Sequence, residues 1–317
     1  VMEEHKASPR LKMVYIGNSF TYFNDLPSML QDLTSGAVET AGSVLKGGQT
    51  LKGHSEDPRT ESALQDLTFT HLVLQGQSSN PGLLFANDEK LREKGEAVLD
   101  VVKGYFAKSV ADNALKNTNL QSVVFYSTWG HRGPCVYKTL QKEYPNFKVM
   151  VSKIQQSYRV IASEFTKQTK KLLVDAGEPA MCPKVIVAPV GRAFDIVYDL
   201  CKAEGVSDPE TDPACLFYRL YAPDAFHPSR LGTYLVACVF YGTLFGKDPR
   251  GLQWYPSNEL TNFDRKMQAP DRFGADFKPE NFDQQTAACL RSAAYAAVFN
   301  SPGAPEAHNH TAPSQKL

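Results

Sequence analysis

Apolar positions along the chain alternate between short continuous runs and longer stretches with helical spacing. The short runs are typical of strands buried on both faces, and they fall at residues 12–16, 43–45, 70–75, 122–128 and 184–189. The helical stretches fall at residues 26–38, 88–107, 151–176, 230–245 and 284–299. This alternation predicts an α/β fold, a three-layer α/β/α sandwich around a central parallel sheet of about five strands.

In such a fold the functional loops gather at the carboxyl ends of the strands. The residues that follow the predicted strands on that edge are Ser19, Gly48, Gln77, Trp129 and Arg192. We therefore expect the site to be assembled from loops that are far apart in the chain.

A chain of 317 residues is long enough to bury one large core. We predict a single catalytic domain over residues 10–300, which includes an irregular excursion rich in proline, aspartate and aromatic residues at 246–283. Residues 301–317, rich in proline, alanine and histidine, are predicted to form a flexible tail.

Charge and hydropathy argue against two classes of partner. Lysine plus arginine and aspartate plus glutamate each number 34, so nothing indicates a nucleic-acid partner. The longest apolar run, residues 234–245, is interrupted by Gly242 and is too short to cross a bilayer. We expect a soluble protein whose partner is a small molecule or a carbohydrate; the oligomeric state stays open.

Two short segments carry the candidate chemistry. Ser19 follows the strand at residues 12–16 and precedes a predicted helix, which is where a nucleophile or a simple helix N-cap would lie. Asp224 and His227 lie three residues apart in a single loop. A serine hydroxyl needs a base to take its proton and an acid to hold that base, and these two residues would supply both.

Four blocks together resemble the SGNH hydrolases, the GDSL-type serine esterase superfamily. They are residues 17–21 (Gly-Asn-Ser-Phe-Thr), 47–50 (Gly-Gly-Gln-Thr), 72–79 (Leu-Val-Leu-Gln-Gly-Gln-Ser-Ser) and 224–229 (Asp-Ala-Phe-His-Pro-Ser). The resemblance implies a flavodoxin-like sheet and a Ser19–His227–Asp224 triad. It also implies an oxyanion hole that includes the N–H groups of Ser19 and Gly48.

The third block departs from the family pattern. The family has Gly-x-Asn there, with the asparagine donating to the oxyanion, whereas this chain has Gly76-x-Ser78. Gln75 or Gln77 would offer the same carboxamide, and the Gln-Gly-x-Ser string resembles the carbohydrate acetylesterase branch. We expect one of the two glutamines to be the donor, with Gln77 slightly favoured and Asn80 as a further alternative.

Three more residues are candidates for binding the substrate. Asn18 belongs to the first block, Trp129 would wall an acyl or sugar site or be simply buried, and Arg192 would bind an anionic group or pair with a carboxylate. The remaining histidines form no evident metal cluster, and the mechanism requires no metal or organic cofactor.

The six cysteines favour secretion over the cytoplasm. They contain no Cys-x-x-Cys pair, which argues against a zinc site. A disulfide between Cys201 and Cys215 would close the loop at residues 204–213. Asn309 begins a glycosylation sequon, usable only in a secreted protein.

The sequence predicts a serine esterase that removes a small acyl group, such as acetyl, from a carbohydrate or related alcohol. A lipase, thioesterase or acyltransferase would use the same triad. A carbohydrate-binding protein that keeps the fold without catalysis is the alternative from another class, since the asparagine of the third block is missing.

Overall fold

A computed structural model describes residues 10–253 and 283–300 of the chain. Its centre is one sheet of five parallel strands in the order β2-β1-β3-β4-β5. The strands are β1 (Leu11–Gly17), β2 (Val38–Leu45), β3 (His71–Leu74), β4 (Ser122–Tyr126) and β5 (Lys184–Ala188). This confirms the predicted α/β class and the parallel sheet.

Helices lie on both faces of the sheet. In the described residues they are α1 (Ser19–Tyr22), α2 (Leu26–Leu33), α3 (Leu51–Ser55), α4 (Pro58–Gln65), α5 (Glu89–Val101), α6 (Ala107–Ala114), α7 (Phe147–Asp175), α8 (Val190–Ala203), α9 (Leu216–Arg219), α10 (Arg230–Phe245) and α11 (Gln284–Phe299). A π-helical turn (Val102–Phe106) joins α5 to α6. Short 3₁₀ turns occur at Pro81–Phe85, Lys138–Leu140, Pro179–Met181 and Pro249–Gly251.

Alternate side chains of β1 enter two different cores, because successive residues of a strand point to opposite faces. Met13 and Tyr15 pack with α2, α8, α10 and α11, whereas Val14 and Ile16 pack with α4, α5, α6 and α7. The strands β3 and β4 are buried at every position. Continuous apolar runs of this kind are what a parallel sheet covered on both faces requires.

The edge strand β2 is longer than its apolar run predicts. Residues 38–42 carry the polar positions Glu39 and Thr40, which suit an edge strand that is only partly covered. The prediction that a helix continues to Val38 was wrong. The helix α2 ends at Leu33, because Ser35 (φ 51°) and Gly36 (φ 78°) turn the chain into the left-handed region.

Two helical regions differ from the sequence prediction. The helix α8 was missed, although it begins directly after β5. The helix α7 begins at Phe147, four residues earlier than predicted, because the Asn146 side chain accepts a hydrogen bond from the Val149 N–H group (3.0 Å) and caps it.

Part of the predicted domain organisation lies outside the described residues. This holds for most of the excursion at 246–283 and for the tail at 301–317, so both stay predictions. Among the helices that the structure describes, none combines the length and apolar character needed to span a bilayer.

The six cysteines are all free thiols in the structure. The predicted disulfide partners Cys201 and Cys215 are neighbours, and burial, reinforced by the adjacent Cys215 thiol, raises the pKa of Cys201 to about 12. The disulfide itself stays a prediction.

Candidate active site

Ser19 lies at the turn where β1 passes into the one-turn helix α1. Asn18 is the N-cap of that helix, since its side-chain oxygen accepts from the Phe20 N–H group (3.1 Å). Ser19 is therefore the first helical residue, and the alternative that it serves as a helix N-cap was wrong. Its backbone N–H has no acceptor within the helix, as is general for the first turn.

Ser19, His227 and Asp224 form one continuous chain of hydrogen bonds. The Nε2 atom of His227 lies 2.7 Å from the Ser19 hydroxyl oxygen, and its Nδ1 atom lies 2.7 Å from the Asp224 carboxylate. Ser19 and His227 are 208 residues apart in sequence. The fold thus brings together the three side chains that the sequence singled out.

The loop that carries Asp224 and His227, residues 222–229 and here called the His loop, is held by its own backbone. The second carboxylate oxygen of Asp224 accepts from the N–H groups of Phe226 (3.2 Å) and His227 (3.0 Å). Burial opposes ionisation of Asp224, but the hydrogen bonds and charge of His227 outweigh it, so the pKa of Asp224 is lowered. An ionised Asp224 fixes the imidazole tautomer and stabilises an imidazolium.

Aromatic rings surround the imidazole of His227. The Phe23 ring stacks on it with centroids 4.3 Å apart, the Phe226 ring lies 4.0 Å away, and the Phe20 ring meets it edge-on at 5.6 Å. Ring faces favour a cation, so this arrangement suits an imidazole that gains a proton during the reaction. The motifs included Phe20 and Phe226, whereas sequence analysis missed Phe23.

Asn18 is a structural link between three motifs. It is almost fully buried, and its side-chain nitrogen donates to the backbone carbonyls of Gln49 (3.1 Å) and Gly76 (3.3 Å). The second and third blocks are thereby fastened to the residue that precedes Ser19. The expectation that Asn18 binds substrate was wrong, because its polar atoms are occupied by the protein.

Gln75 also acts on the turn that holds Ser19. Its carboxamide is 0% exposed; the oxygen accepts from the Asn18 N–H group (2.9 Å) and the Thr21 hydroxyl (3.1 Å), and the nitrogen donates to the Gly76 carbonyl. A carboxamide so enclosed cannot reach an ester. The expectation that Gln75 donates to the oxyanion was therefore wrong.

Gln77 caps its own loop, residues 75–80, here called the Gln loop. Its carboxamide oxygen accepts from the N–H groups of Ser79 (2.9 Å) and Asn80 (3.1 Å), while the nitrogen donates to the Tyr137 hydroxyl (3.3 Å). These bonds give the side chain a structural role. Its predicted role as an oxyanion donor stays a prediction.

Gly48 lies in an exposed turn after β2 with φ at 67°, a conformation that favours glycine. A Cβ atom there would meet nothing within 4 Å, so the backbone, and not crowding, requires the glycine. This turn lies beside the turn that carries Ser19, and the Asn18 side chain joins the two by donating to the Gln49 carbonyl.

Trp129 is buried and does not wall the site. Its ring is 0% exposed and stacks between Phe20 and Phe194, each with centroids 4.5 Å away. Its indole N–H donates to the Phe226 carbonyl (3.0 Å). Of the two predicted alternatives, the buried aromatic is correct, and the residue joins the helix that carries Ser19 to the His loop.

Arg192 pairs with a carboxylate, which is one of the two roles predicted for it. Its guanidinium contacts Asp195 (2.7 Å) one turn along α8, and Lys148 binds the same carboxylate. Its role as an anion-binding substrate residue stays a prediction.

Sequence analysis assigned no role to His131 or Asn24. Asn24 donates to the Pro228 carbonyl (3.0 Å) and to the Thr233 hydroxyl (3.0 Å), which ties the segment after Ser19 to the His loop. His131 is buried behind the Gln loop and contacts Ser78. The available signal for His131 was its place in the loop after β4, at the edge where the other candidate residues collect.

Two other histidines are buried near the sheet. His54 donates from Nε2 to the Gly17 carbonyl (2.8 Å) at the end of β1, and His71 is the first residue of β3. Burial lowers the pKa of His54 and lowers that of His71 to about 4. Across residues 10–253 and 283–300, no group of three or more His, Cys, Asp or Glu side chains is placed to hold a metal ion.

Comparison with known proteins gives matches among solved structures only. No protein-family model matches the chain, and no curated protein matches it. A DUF4886 family protein from Bacteroides uniformis is 15% identical over 91% of this chain and 95% of its own, with a TM-score of 0.55.

Two further structures have lower TM-scores. A candidate SGNH hydrolase from Slackia heliotrinireducens is 21% identical over 74% of this chain and 99% of its own, with a TM-score of 0.47. An acetyl xylan esterase from Geobacillus stearothermophilus is 13% identical over 80% of this chain and 100% of its own, with a TM-score of 0.40. Such identities speak for the fold alone. At that level the predicted α/β fold is confirmed: the chain shares its fold with the DUF4886 family protein.

Proposed function

We propose that the protein is a serine esterase in which Ser19 is the nucleophile, His227 the general base and Asp224 the residue that orients the base. The observation that carries this proposal is the unbroken chain of hydrogen bonds through the three side chains, with both contacts at 2.7 Å. A protein that only binds carbohydrate has no need for such an arrangement.

The reaction follows from this geometry. His227 takes the Ser19 proton as the hydroxyl oxygen attacks the ester carbonyl, and Asp224 stabilises the imidazolium that forms. The tetrahedral intermediate collapses when His227 returns the proton to the departing alcohol, which leaves an acyl group on Ser19. Water, activated by the same histidine, then releases the carboxylic acid and restores the serine.

The oxyanion requires donors on the opposite side of the carbonyl from the base. We assign the backbone N–H groups of Ser19 and Gly48 to this role. Ser19 supports it through its position at the start of α1, and Gly48 through the bond that holds its turn against Asn18.

The substrate class rests on the motifs and on one exposed ring. The Gln-Gly-x-Ser string resembles carbohydrate acetylesterases, and this favours a small acyl group such as acetyl on a carbohydrate or related alcohol. Tyr137, bonded to Gln77 beside the site, exposes 39% of its surface. An exposed aromatic ring in that place suits the apolar face of a sugar.

A panel of esters tests this proposal. The purified protein should hydrolyse p-nitrophenyl acetate faster than the butyrate and octanoate esters, and it should release acetate from an acetylated polysaccharide. A preference for octanoate would instead indicate a lipase. Absence of hydrolysis across the whole panel would contradict the esterase assignment.

A further inference from the structure

Phe23 contacts both the residue that carries the nucleophile and the base. Its N–H group donates to the Ser19 carbonyl (2.8 Å), because Phe23 closes the single turn of α1. Its buried ring stacks on the imidazole of His227 with centroids 4.3 Å apart and an angle of 3° between the ring planes. Ser19 and His227 are therefore joined by a second route through Phe23, in addition to the hydrogen bond between their side chains.

The stacked ring fixes what the hydrogen bonds of the imidazole leave free. The Nδ1 and Nε2 atoms of His227 each make one hydrogen bond of 2.7 Å within the triad. A ring held at these two atoms can still tilt about the line that joins them as the loop backbone moves. The Phe20 and Phe226 rings meet the imidazole at 66° and 40°. The parallel face of Phe23 is thus the contact that defines the plane of the imidazole.

The same contact stabilises the charge that forms on the base during the reaction. The face of an aromatic ring attracts a cation, most strongly where water is excluded. When His227 takes the Ser19 proton, the positive charge arises against the Phe23 ring. The stack is therefore stronger in the transition state than in the resting protein, and only interactions of that kind accelerate the chemical step.

Asn24 holds the His loop next to the Phe23 ring. Its side-chain nitrogen is buried and donates to the Pro228 carbonyl (3.0 Å), directly after His227, and to the Thr233 hydroxyl (3.0 Å). The backbone of Asn24 is left-handed, with φ at 59°, a conformation that asparagine and aspartate tolerate best among residues other than glycine. Such a conformation persists where the surrounding structure holds it. The turn after Phe23 is thereby fastened to the residue that follows the base.

We infer that Phe23 is the positioning residue of the general base, because its ring face holds the imidazole of His227 in the plane that directs Nε2 at Ser19. Asn24 clamps the His loop onto that ring. This inference rests on the proposed esterase function. It gives a role in the proton transfer to two residues that lie outside the four sequence blocks, since the first block ends at Thr21.

Leucine substitution of Phe23 tests the inference on p-nitrophenyl acetate. Phe23→Leu keeps an apolar side chain but removes the ring face, and loss of one cation–π contact should lower kcat about 2- to 30-fold while KM changes little. Phe23→Tyr keeps the ring face and should retain most of the wild-type kcat. Phe165→Leu is the matched control, since Phe165 is fully buried in the core formed with α4, α5, α6 and α7. It should lose stability but keep kcat.

Variants of the left-handed turn test the clamp. Asn24→Asp keeps the size of the side chain and its tolerance of the left-handed backbone, but an ionised carboxylate cannot donate to the Pro228 carbonyl. Its kcat should therefore fall by a factor similar to that of Phe23→Leu. Asp25→Asn is the control in the same turn and should keep kcat, because Asp25 is also left-handed (φ 51°) but its side chain accepts from the Ser28 N–H group of α2.

The outcomes distinguish the two proposals. Circular dichroism identifies the folded variants, and if Phe23→Leu does not fold, Phe23→Met decides, because its flexible side chain fills the space without a ring face. If the folded variant keeps wild-type kcat, or if Phe165→Leu loses as much kcat, the inference about Phe23 is overturned, while an inactive Ser19→Ala leaves the esterase standing. If the wild-type protein hydrolyses no ester, the proposed function falls and this inference falls with it.

Discussion

The His loop and the Gln loop both lie against Ser19, yet they are held in different ways. The His loop has bonds within itself, since Asp224 accepts from the N–H groups of Phe226 and His227 and Ala222 donates to the His227 carbonyl (2.9 Å). Trp129 and Asn24 add bonds to it from outside. The Gln loop depends on side chains from distant parts of the chain, among them Asn18 and His131.

The two loops therefore differ in how far their contacts reach along the chain. Asp224 and His227 lie three residues apart in one loop, whereas the Gln loop is held by contacts that span more than 50 residues. A short motif therefore suffices to predict that Asp224 and His227 contact each other, but the position of the Gln loop depends on tertiary structure. Substitutions at His227 should accordingly act mainly on kcat, whereas substitutions at the glutamines of the Gln loop should act mainly on stability.

The largest effect is expected where the His loop meets the nucleophile. Ser19→Ala and His227→Ala should each lower kcat on p-nitrophenyl acetate by roughly 10⁴- to 10⁶-fold, because nucleophile and base act as a unit. Ser28→Ala, at an exposed position of α2, is the control and should keep wild-type rates. Near-normal turnover in the Ser19 variant would refute the mechanism.

A large effect on stability is expected at the residue that joins α1 to the His loop. Trp129→Ala removes a fully buried ring and should lower the free energy of unfolding by about 3–5 kcal/mol. Trp129→Phe keeps an aromatic ring in the stack but loses the bond to the Phe226 carbonyl and part of the buried ring volume, so its loss should be smaller, about 1–3 kcal/mol. Urea denaturation measures the free energy of unfolding of both variants. Equal losses in the two would contradict the role of the Trp129 ring in joining α1 to the His loop.

A smaller effect distinguishes the two glutamines of the Gln loop. Gln75→Ala leaves the Asn18 N–H group and the Thr21 hydroxyl without their acceptor and should cost about 1–3 kcal/mol of stability. Gln77→Ala removes a partly exposed cap and should cost less. Gln77→Ala should also keep its kcat; a loss of kcat without a loss of stability would restore Gln77 as the oxyanion donor.

A further effect concerns stability at acidic pH. Burial lowers the pKa of His71 and of His131 to about 4, below the value of about 6.5 expected in the unfolded chain. The unfolded state then binds protons first, so the free energy of unfolding should fall as pH drops from about 6.5 toward 4. His71→Asn should make this decline shallower in urea titrations at several pH values, and an unchanged slope would contradict the assignment for His71.

Much of the fold could be predicted because long stretches of apolar residues at helical spacing mark the buried helices. The helices α10 and α11 begin and end where their periodicity does. The strand β2 could be predicted only at its last three residues, because an edge strand needs few apolar side chains. The left-handed turn at Ser35 and Gly36, which ends α2, gave no strong signal in composition.

The contact between Asp224 and His227 could be predicted because the two share one loop. The pairing of His227 with Ser19, 208 residues away, could be predicted only through the resemblance carried by the four blocks. The roles of Gln75, Trp129 and His131 could not, because each depends on a partner that is more than 50 residues away. A polar residue at a strand end is equally compatible with binding a ligand and with binding a neighbouring loop. Only the tertiary contacts decide between the two.

The most direct test of the central claim is covalent labelling of the intact protein with a fluorophosphonate, read by mass spectrometry of the whole chain and of its peptides. An activated Ser19 predicts one adduct per chain, located on the peptide that contains Ser19, with labelling slowed strongly in His227→Ala. No adduct on the wild-type protein, or an adduct elsewhere with Ser19 unmodified, would contradict the account.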